Sequence, residues 1–143
     1  MANNNDIPWL LEQLQQFDSF VGTKHSMFKS KDFAEKKMIE ILKKHLVMIA
    51  ENDIKPVGFI AGLVHEHLFN PELKVLTEIF WWVDRAHRGT RAGLMLLNSF
   101  VEWGESYCDW ISINLEEKSP VSDRCLTKRG FKVLETSYLK EIY

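Results

Sequence analysis

Apolar residues along the chain change rhythm several times, and each change marks an element. Ile7, Leu10, Leu14 and Phe17 recur at spacings of three and four, which predicts a helix with one buried face. Asp6 is placed to cap it, Pro8 is tolerated in its first turn, and Asn3–Asn5 read as a frayed or short extended lead-in. Phe20 to Lys29, with Gly22 inside it, reads as a loop. Ser30 or Asp32 opens a second helix that turns Phe33, Ala34, Met38, Ile41 and Leu42 inward and its lysines outward.

Near His45 the period shortens. Leu46–Ala50 predicts a strand, Glu51-Asn52-Asp53 a turn, and Lys55–Val64 an antiparallel partner made irregular by Pro56, Gly58 and Gly62. His65–Pro71 reads as a loop. The β-branched and aromatic run Ile79–Val83 is a strand that enters a basic turn, Arg85–Gly93. A helix follows, with Leu96, Phe100, Trp103 and Tyr107 on one line and Leu94, Leu97 and Val101 on the next. Asp109–Leu115 is another strand, and Pro120–Lys128 a short helix stopped by Gly130. Phe131–Tyr143 is expected to carry one or two final strands. The order describes a single mixed α/β layer domain spanning residues 1–143.

Composition narrows the function classes. Acidic residues number 20 against 18 Lys plus Arg, a formal net charge of -2, which argues against a non-specific nucleic-acid partner. The lysines at 36, 37, 43 and 44 fit a solvated helix face better than a nucleic-acid surface. Cys108 and Cys125 form neither a CxxC pair nor a disulfide framework. No apolar run is long enough to span a bilayer, and the first residues lack the basic segment and apolar core of a signal peptide. A soluble, cytoplasmic protein with no membrane partner is the expectation.

Strand, cationic turn and helix start together make an anion site. The first N–H groups of a helix have no internal acceptor, and the helix dipole favours negative charge there. Arg88 and Arg91 add positive charge, while Gly89 and Gly93 permit close backbone approach. The anion expected from these residues alone is a phosphate or pyrophosphate.

The segment Arg88-Gly89-Thr90-Arg91-Ala92-Gly93 resembles the central motif of the GNAT superfamily of acetyl-CoA-dependent N-acyltransferases: Arg or Gln, two residues, Gly, one residue, then Gly or Ala. Arg91 stands where the first motif Gly is usual. Phe80-Trp81-Trp82-Val83-Asp84 resembles the family's pantetheine-holding strand, and Lys128-Arg129-Gly130-Phe131 with Glu135 and Tyr138 resembles its closing stretch. The likeness runs over residues 6 to 143 and is strongest to small bacterial and phage members.

The resemblance implies an α/β fold with a mixed, mostly antiparallel central sheet flanked by helices. It implies acetyl-CoA as cosubstrate, with the backbone amides of Arg88–Gly93 on the pyrophosphate and Arg88 assisting. Backbone groups of Trp82 and Val83 would pair with pantetheine. Asn114 would contact the cofactor or the splayed strand, and Ser122 would approach the cofactor from the last helix. Arg91 would strain the turn if its backbone needed positive φ.

Acetyl transfer to nitrogen needs an uncharged amine and a group to accept its proton. Glu78, at the start of the central strand, is the expected base, its pKa open to elevation by burial. Alternation puts Glu78, Phe80 and Trp82 on one face. The alternative reading of Glu78 is a strand-edge carboxylate in an ordinary salt bridge. The family's usual acid, a Tyr four residues before the closing Gly, is replaced by Leu126, leaving Tyr138, Cys125 or water as substitutes; packing is the competing role for Tyr138. His65 and His67 fit loop polarity or substrate contact better than a metal site. The cysteines fit packing.

These readings point to an N-acetyltransferase that moves acetyl directly to a primary amine in a ternary complex. The acceptor is a small-molecule or peptide amine, and assembly as a homodimer has precedent among such proteins. If phage-encoded, the protein would work in the host cytoplasm. The rival from another class keeps the fold as a non-catalytic CoA-binding regulator or a phage structural component.

Overall fold

The computed structural model describes residues 1–143. Helix α1 (Ile7–Val21) carries Pro8 in its first turn and stops at Gly22, whose φ of 72° supplies a left-handed C-cap. Its lead-in is ordered rather than frayed. Asn3 and Asp6 cap a 3-10 turn (Asn4–Asp6) reciprocally, and the Ala2 N–H donates to the Val47 carbonyl at 3.0 Å. Asp6 therefore closes that turn and gives α1 no side-chain cap. Helix α2 (Lys31–Lys44) is capped by Ser30, with Asp32 in its first turn and Lys43 and Lys44 in its last, the polarity its dipole favours.

The sheet has four strands in chain order: β1 (Leu46–Glu51), β2 (Pro56–His67), β3 (Asn70–Val83) and β4 (Trp110–Ser112). The first three are antiparallel and β4 runs parallel to β3. Helix α3 (Ala92–Tyr107) bridges β3 and β4 and lies on one face, while α1 and α2 cover the other. This is the mixed, mostly antiparallel sheet flanked by helices that the resemblance implies. Strand alternation divides the core. Phe59 and Trp82 join Leu10, Leu11, Met38 and Ile41 on the α1–α2 side; Ile60 and Leu76 join Leu96 and Phe100 on the α3 side. Each such fully buried side chain contributes about 1.5–3 kcal/mol. No helix is long and apolar enough to cross a membrane.

Other expectations change. His65–Pro71 is not a loop: β2 runs to His67, β3 begins at Asn70, and Leu68 and Phe69 form the tight turn between them. Asn70 and Pro71 are turn residues by type, but here they begin an exposed strand end, where proline costs no ladder bond. Phe131–Tyr143 forms no strand. The sheet ends at β4, and this segment instead ties its far end to the α1–α2 connection, where the His25 N–H donates to Glu141 Oε1 at 2.8 Å and the His25 and Tyr143 rings stack. The last strand and last helix are shorter than their apolar patterns, β4 ending at Ser112 and α4 covering Asp123–Thr127.

Strand β2 lies inside the sheet, where Gly58 and Gly62 are needed for space rather than for an edge. A Cβ on Gly58 would stand 2.9 Å from the Trp82 carbonyl oxygen, and one on Gly62 would stand 2.7 Å from the Phe100 ring. Gly58→Ala is expected to lose about 1–3 kcal/mol in denaturant unfolding, because backbone cannot yield. Gly93→Ala meets only Val83 Cγ2, at an ordinary 3.6 Å. It should be neutral or gain up to about 1 kcal/mol from helix propensity.

Candidate functional site

The sheet forks beside Glu78. Strand β4 pairs with β3 only through Val75–Thr77 against Trp110–Ser112, so the outer edge of β3 from Glu78 to Val83 has no strand beside it. Asn114 braces the crotch of the fork. Its N–H donates to Glu78 Oε2 at 3.1 Å and its Nδ2 donates to the Glu78 carbonyl at 3.2 Å. Of the two contacts weighed for Asn114, the fold makes the one to the splayed strand. A bulge sits at the same level: Gly62 pairs with Glu78 and Ala61 with Phe80, leaving Ile79 over. Ile79 and Phe80 consequently both pack toward the α1–α2 side. The bulge breaks the alternation, and Glu78 does not share a face with Phe80 and Trp82.

Glu78 is 4% exposed and pairs with no cation, which removes the salt-bridge reading. Burial pushes its pKa up to about 7; the Asn114 N–H pulls the other way, and the negative charge of Glu116 adds a smaller push upward. A buried carboxyl that titrates near neutrality, beside an open strand edge, is able to take a proton from a bound molecule.

The basic turn follows immediately. Asp84 Oδ1 accepts from the Ala86 N–H at 3.3 Å and starts a 3-10 turn (Arg85–His87). Gly89 has φ 82°, the left-handed region, and a Cβ there would meet nothing within 4 Å. Arg91 has φ -74° and ψ -8°, an ordinary right-handed conformation, so the strain considered for this residue does not arise. The Thr90 hydroxyl donates to the His87 carbonyl at 2.7 Å, and its Oγ1 accepts from the Ala92 N–H at 3.3 Å. The N–H groups of Gly89, Thr90, Arg91, Gly93 and Leu94 take no acceptor within the fold. Clustered free donors at the start of a 16-residue helix fit an anionic group such as a pyrophosphate.

Arg88 is held across the open edge. Its Nε donates to the Val83 carbonyl at 3.2 Å, and its guanidinium lies 4.5 Å from the Trp82 ring centroid and 5.3 Å from that of Phe20. Partial burial lowers its pKa, with Arg85 adding to that and Asp84 opposing it. The Trp82 side chain is buried, and its Nε1 donates to the buried Gln13 Oε1 at 3.1 Å. The Gln13 bond carries no sequence signal, because it joins residues 69 apart in the chain. His87 Nδ1 is buried without a partner.

The remaining candidates share no hydrogen bond with this cluster. Ser122 precedes α4 without a side-chain capping bond, and Tyr138 is 92% exposed in the irregular C-terminal segment. His65 Nε2 meets Thr77 Oγ1 at 2.8 Å, while His67 Nδ1 accepts from the Phe69 N–H at 3.3 Å. Cys108 and Cys125 are free thiols, and burial pushes the Cys108 thiol up.

Residues 10–131 match the sequence model of the acetyltransferase (GNAT) family. Among solved structures, the chain is similar to a transcriptional regulator from Bacillus halodurans C-125, with 20% identity, TM-score 0.78, and 99% of this chain covering 96% of that one. It is similar to a GCN5-related N-acetyltransferase from Ralstonia eutropha JMP134 (18% identity, TM-score 0.75, 99% and 95% covered). A third is glucosamine-6-phosphate N-acetyltransferase from Arabidopsis thaliana (13% identity, TM-score 0.72, 99% and 95% covered). At these identities the likeness speaks for the fold. A comparison with curated protein sequences gave no match.

Two stability predictions follow from the site. The folded-state pKa of Glu78, about 7, lies above the ordinary 4.5, so the folded protein keeps a proton that the unfolded chain releases between those values. Its contribution is fully present below pH 4.5 and is lost as pH rises through about 7. Glu78→Gln should therefore be more stable than wild type at pH 8.5, by roughly 1–3 kcal/mol, with the gain fading toward pH 4.5 in urea titrations. Arg91→Gly, which restores the usual motif residue, should yield no stability, since there is no strain to relieve. Unfolding midpoints equal to or below wild type are expected.

Proposed function

The chain belongs to the acetyltransferase (GNAT) family, whose fold binds acetyl-CoA as cosubstrate, and on that premise we propose that it transfers acetyl directly to a primary amine in a ternary complex. The observation that carries the reading is Glu78, buried at the mouth of the sheet fork with its pKa near 7. The N–H groups of Gly89, Thr90, Arg91 and Gly93, at the turn and the Ala92 start of α3, would hold the pyrophosphate. The unpaired edge at Trp82 and Val83 would take the amides of pantetheine as an added strand. Because Arg88 already occupies the Val83 carbonyl, that pairing requires Arg88 to swing outward, where its charge joins the phosphate site.

Acetyl-CoA supplies an acetyl thioester whose C–S bond breaks as the amine's N–C bond forms, with thiol as the second product. Glu78 accepts the proton that the amine gives up, directly or through water, and Asn114 holds the carboxylate in place. The group protonating the leaving sulfur is proposed to be water. Tyr138 fills that role only if the exposed C-terminal segment folds back over the site. Ser122 remains a proposed cofactor contact.

Turnover should rise with pH through an apparent pKa near 7, since only ionised Glu78 accepts a proton. Glu78→Gln should lower kcat by about 100-fold and remove that limb while leaving the acetyl-CoA Kd within about twofold by calorimetry. Full turnover in this variant would sink the assignment of the base. The regulatory reading draws support from the free-donor turn alone and predicts acetyl-CoA binding with no amine acetylated.

A further inference from the structure

Beside the fork lies a cavity of about 620 Å³, walled by α1, α2 and the segment joining them, with Phe80 of β3 as its inner end. Leu14, Phe17, Phe28, Phe33 and Met38 are among the apolar side chains that line it. Phe33 has the helical phase of an inward residue, yet it is 66% exposed, and Met27 opposite is 58% exposed. Apolar surface left wet at a cavity mouth is surface that a ligand gains by covering.

The polar groups here are already committed. Asp18 accepts from the Ser26 hydroxyl at 2.6 Å through one oxygen and from the Met27 N–H at 2.9 Å through the other. Lys37 is paired with Glu40 at 2.7 Å, and the Ser30 hydroxyl caps α2. Only Lys29 is unpaired, and it is a cation. Asp18 is the single carboxylate lining the cavity, too little negative charge for the several cations of a polyamine, and no array of donors and acceptors remains to satisfy a sugar. The bulge at Ile79 turns Phe80 into this cavity two residues along β3 from Glu78, whose carboxyl lies on the strand's other face and outside the cavity lining, so the amine would meet it across the open edge of β3.

We propose that the acceptor is a monoamine whose primary amino group is carried on an aromatic or branched apolar body, with the body seated among Phe17, Phe28, Phe33 and Phe80. The inference rests on the acetyl-transfer reading for the position of the amine. Its test is binding, so the two are separable.

Using the full chain loaded with CoA, binding of 2-phenylethylamine, spermidine and glucosamine is measured by calorimetry or ligand-observed NMR. Phenylethylamine should bind saturably and at least about tenfold more tightly than the other two. Phe33→Glu and Met27→Glu, both at exposed positions where circular dichroism can confirm folding, should each weaken it by about tenfold or more and leave the acetyl-CoA Kd within about twofold. No saturable phenylethylamine binding, unchanged affinity in both variants, or tighter binding of spermidine or glucosamine overturns the proposal. A peptide with N-terminal Phe binding tenfold more tightly than phenylethylamine also overturns it, in favour of a protein N-terminus. Phenylethylamine bound but never acetylated overturns the catalytic reading alone; spermidine acetylated without phenylethylamine binding overturns this one alone.

Discussion

The parallel pairing of Val75–Thr77 with Trp110–Ser112 is the constraint on which the rest of the site depends. Those few ladder bonds, with Gly104 allowing α3 to press against Ile111, hold β4 close enough to β3 to bury Glu78 and then release it. A longer β4 would cover the open edge with a strand. Without any pairing, Asn114 would not reach Glu78, and the carboxyl would sit in water with an ordinary pKa. Burial of an acid and exposure of backbone beside it are consequences of the same local geometry.

Burying Glu78 without a cation is costly, and the structure does not offset the cost with a salt bridge. One N–H from Asn114 is a modest partner for a carboxylate, so the neutral form is favoured up to about pH 7. Stability and reactivity are opposed at this residue: the ionised form that accepts a proton is the form the fold tolerates less well. Hydrophobic packing on both sheet faces, centred on Phe59 and Phe100, carries the difference.

Much of this was legible in the chain because its signals are local. The helices, the first hairpin and the strand–turn–helix around Arg88–Gly93 are set by period, caps and glycine, all read over a few residues. For Glu78 the chain leaves burial and a strand-edge salt bridge both open, and the structure decides for burial. What escaped depends on partners distant in sequence. The bulge at Ile79 exists only in register with Ala61 and Gly62, and it overturned a face assignment that alternation alone supports. The Leu68–Phe69 turn lacks the glycine or asparagine that usually announces a hairpin. Phe131–Tyr143 has strand-like residues, but its end is tied to His25 in the α1–α2 connection rather than to a sheet edge, and Phe33 has core phase but faces a cavity. Arg88 reads as a phosphate ligand by type, while its neighbours Trp82 and Phe20 draw it to the strand edge.

The backbone of the basic turn has one bearing on how such chains diverge. Its only left-handed residue is Gly89, and Arg91 sits in a conformation open to any L-amino acid. Shape and charge are thus encoded at different positions. Mutation can drift through position 91, adding or removing a positive charge beside the anion site, without disturbing the loop that presents the free N–H groups. Searches that demand a glycine at that position would pass over chains built on the same turn, whereas a β-branched residue at position 89 would mark a real loss of the loop.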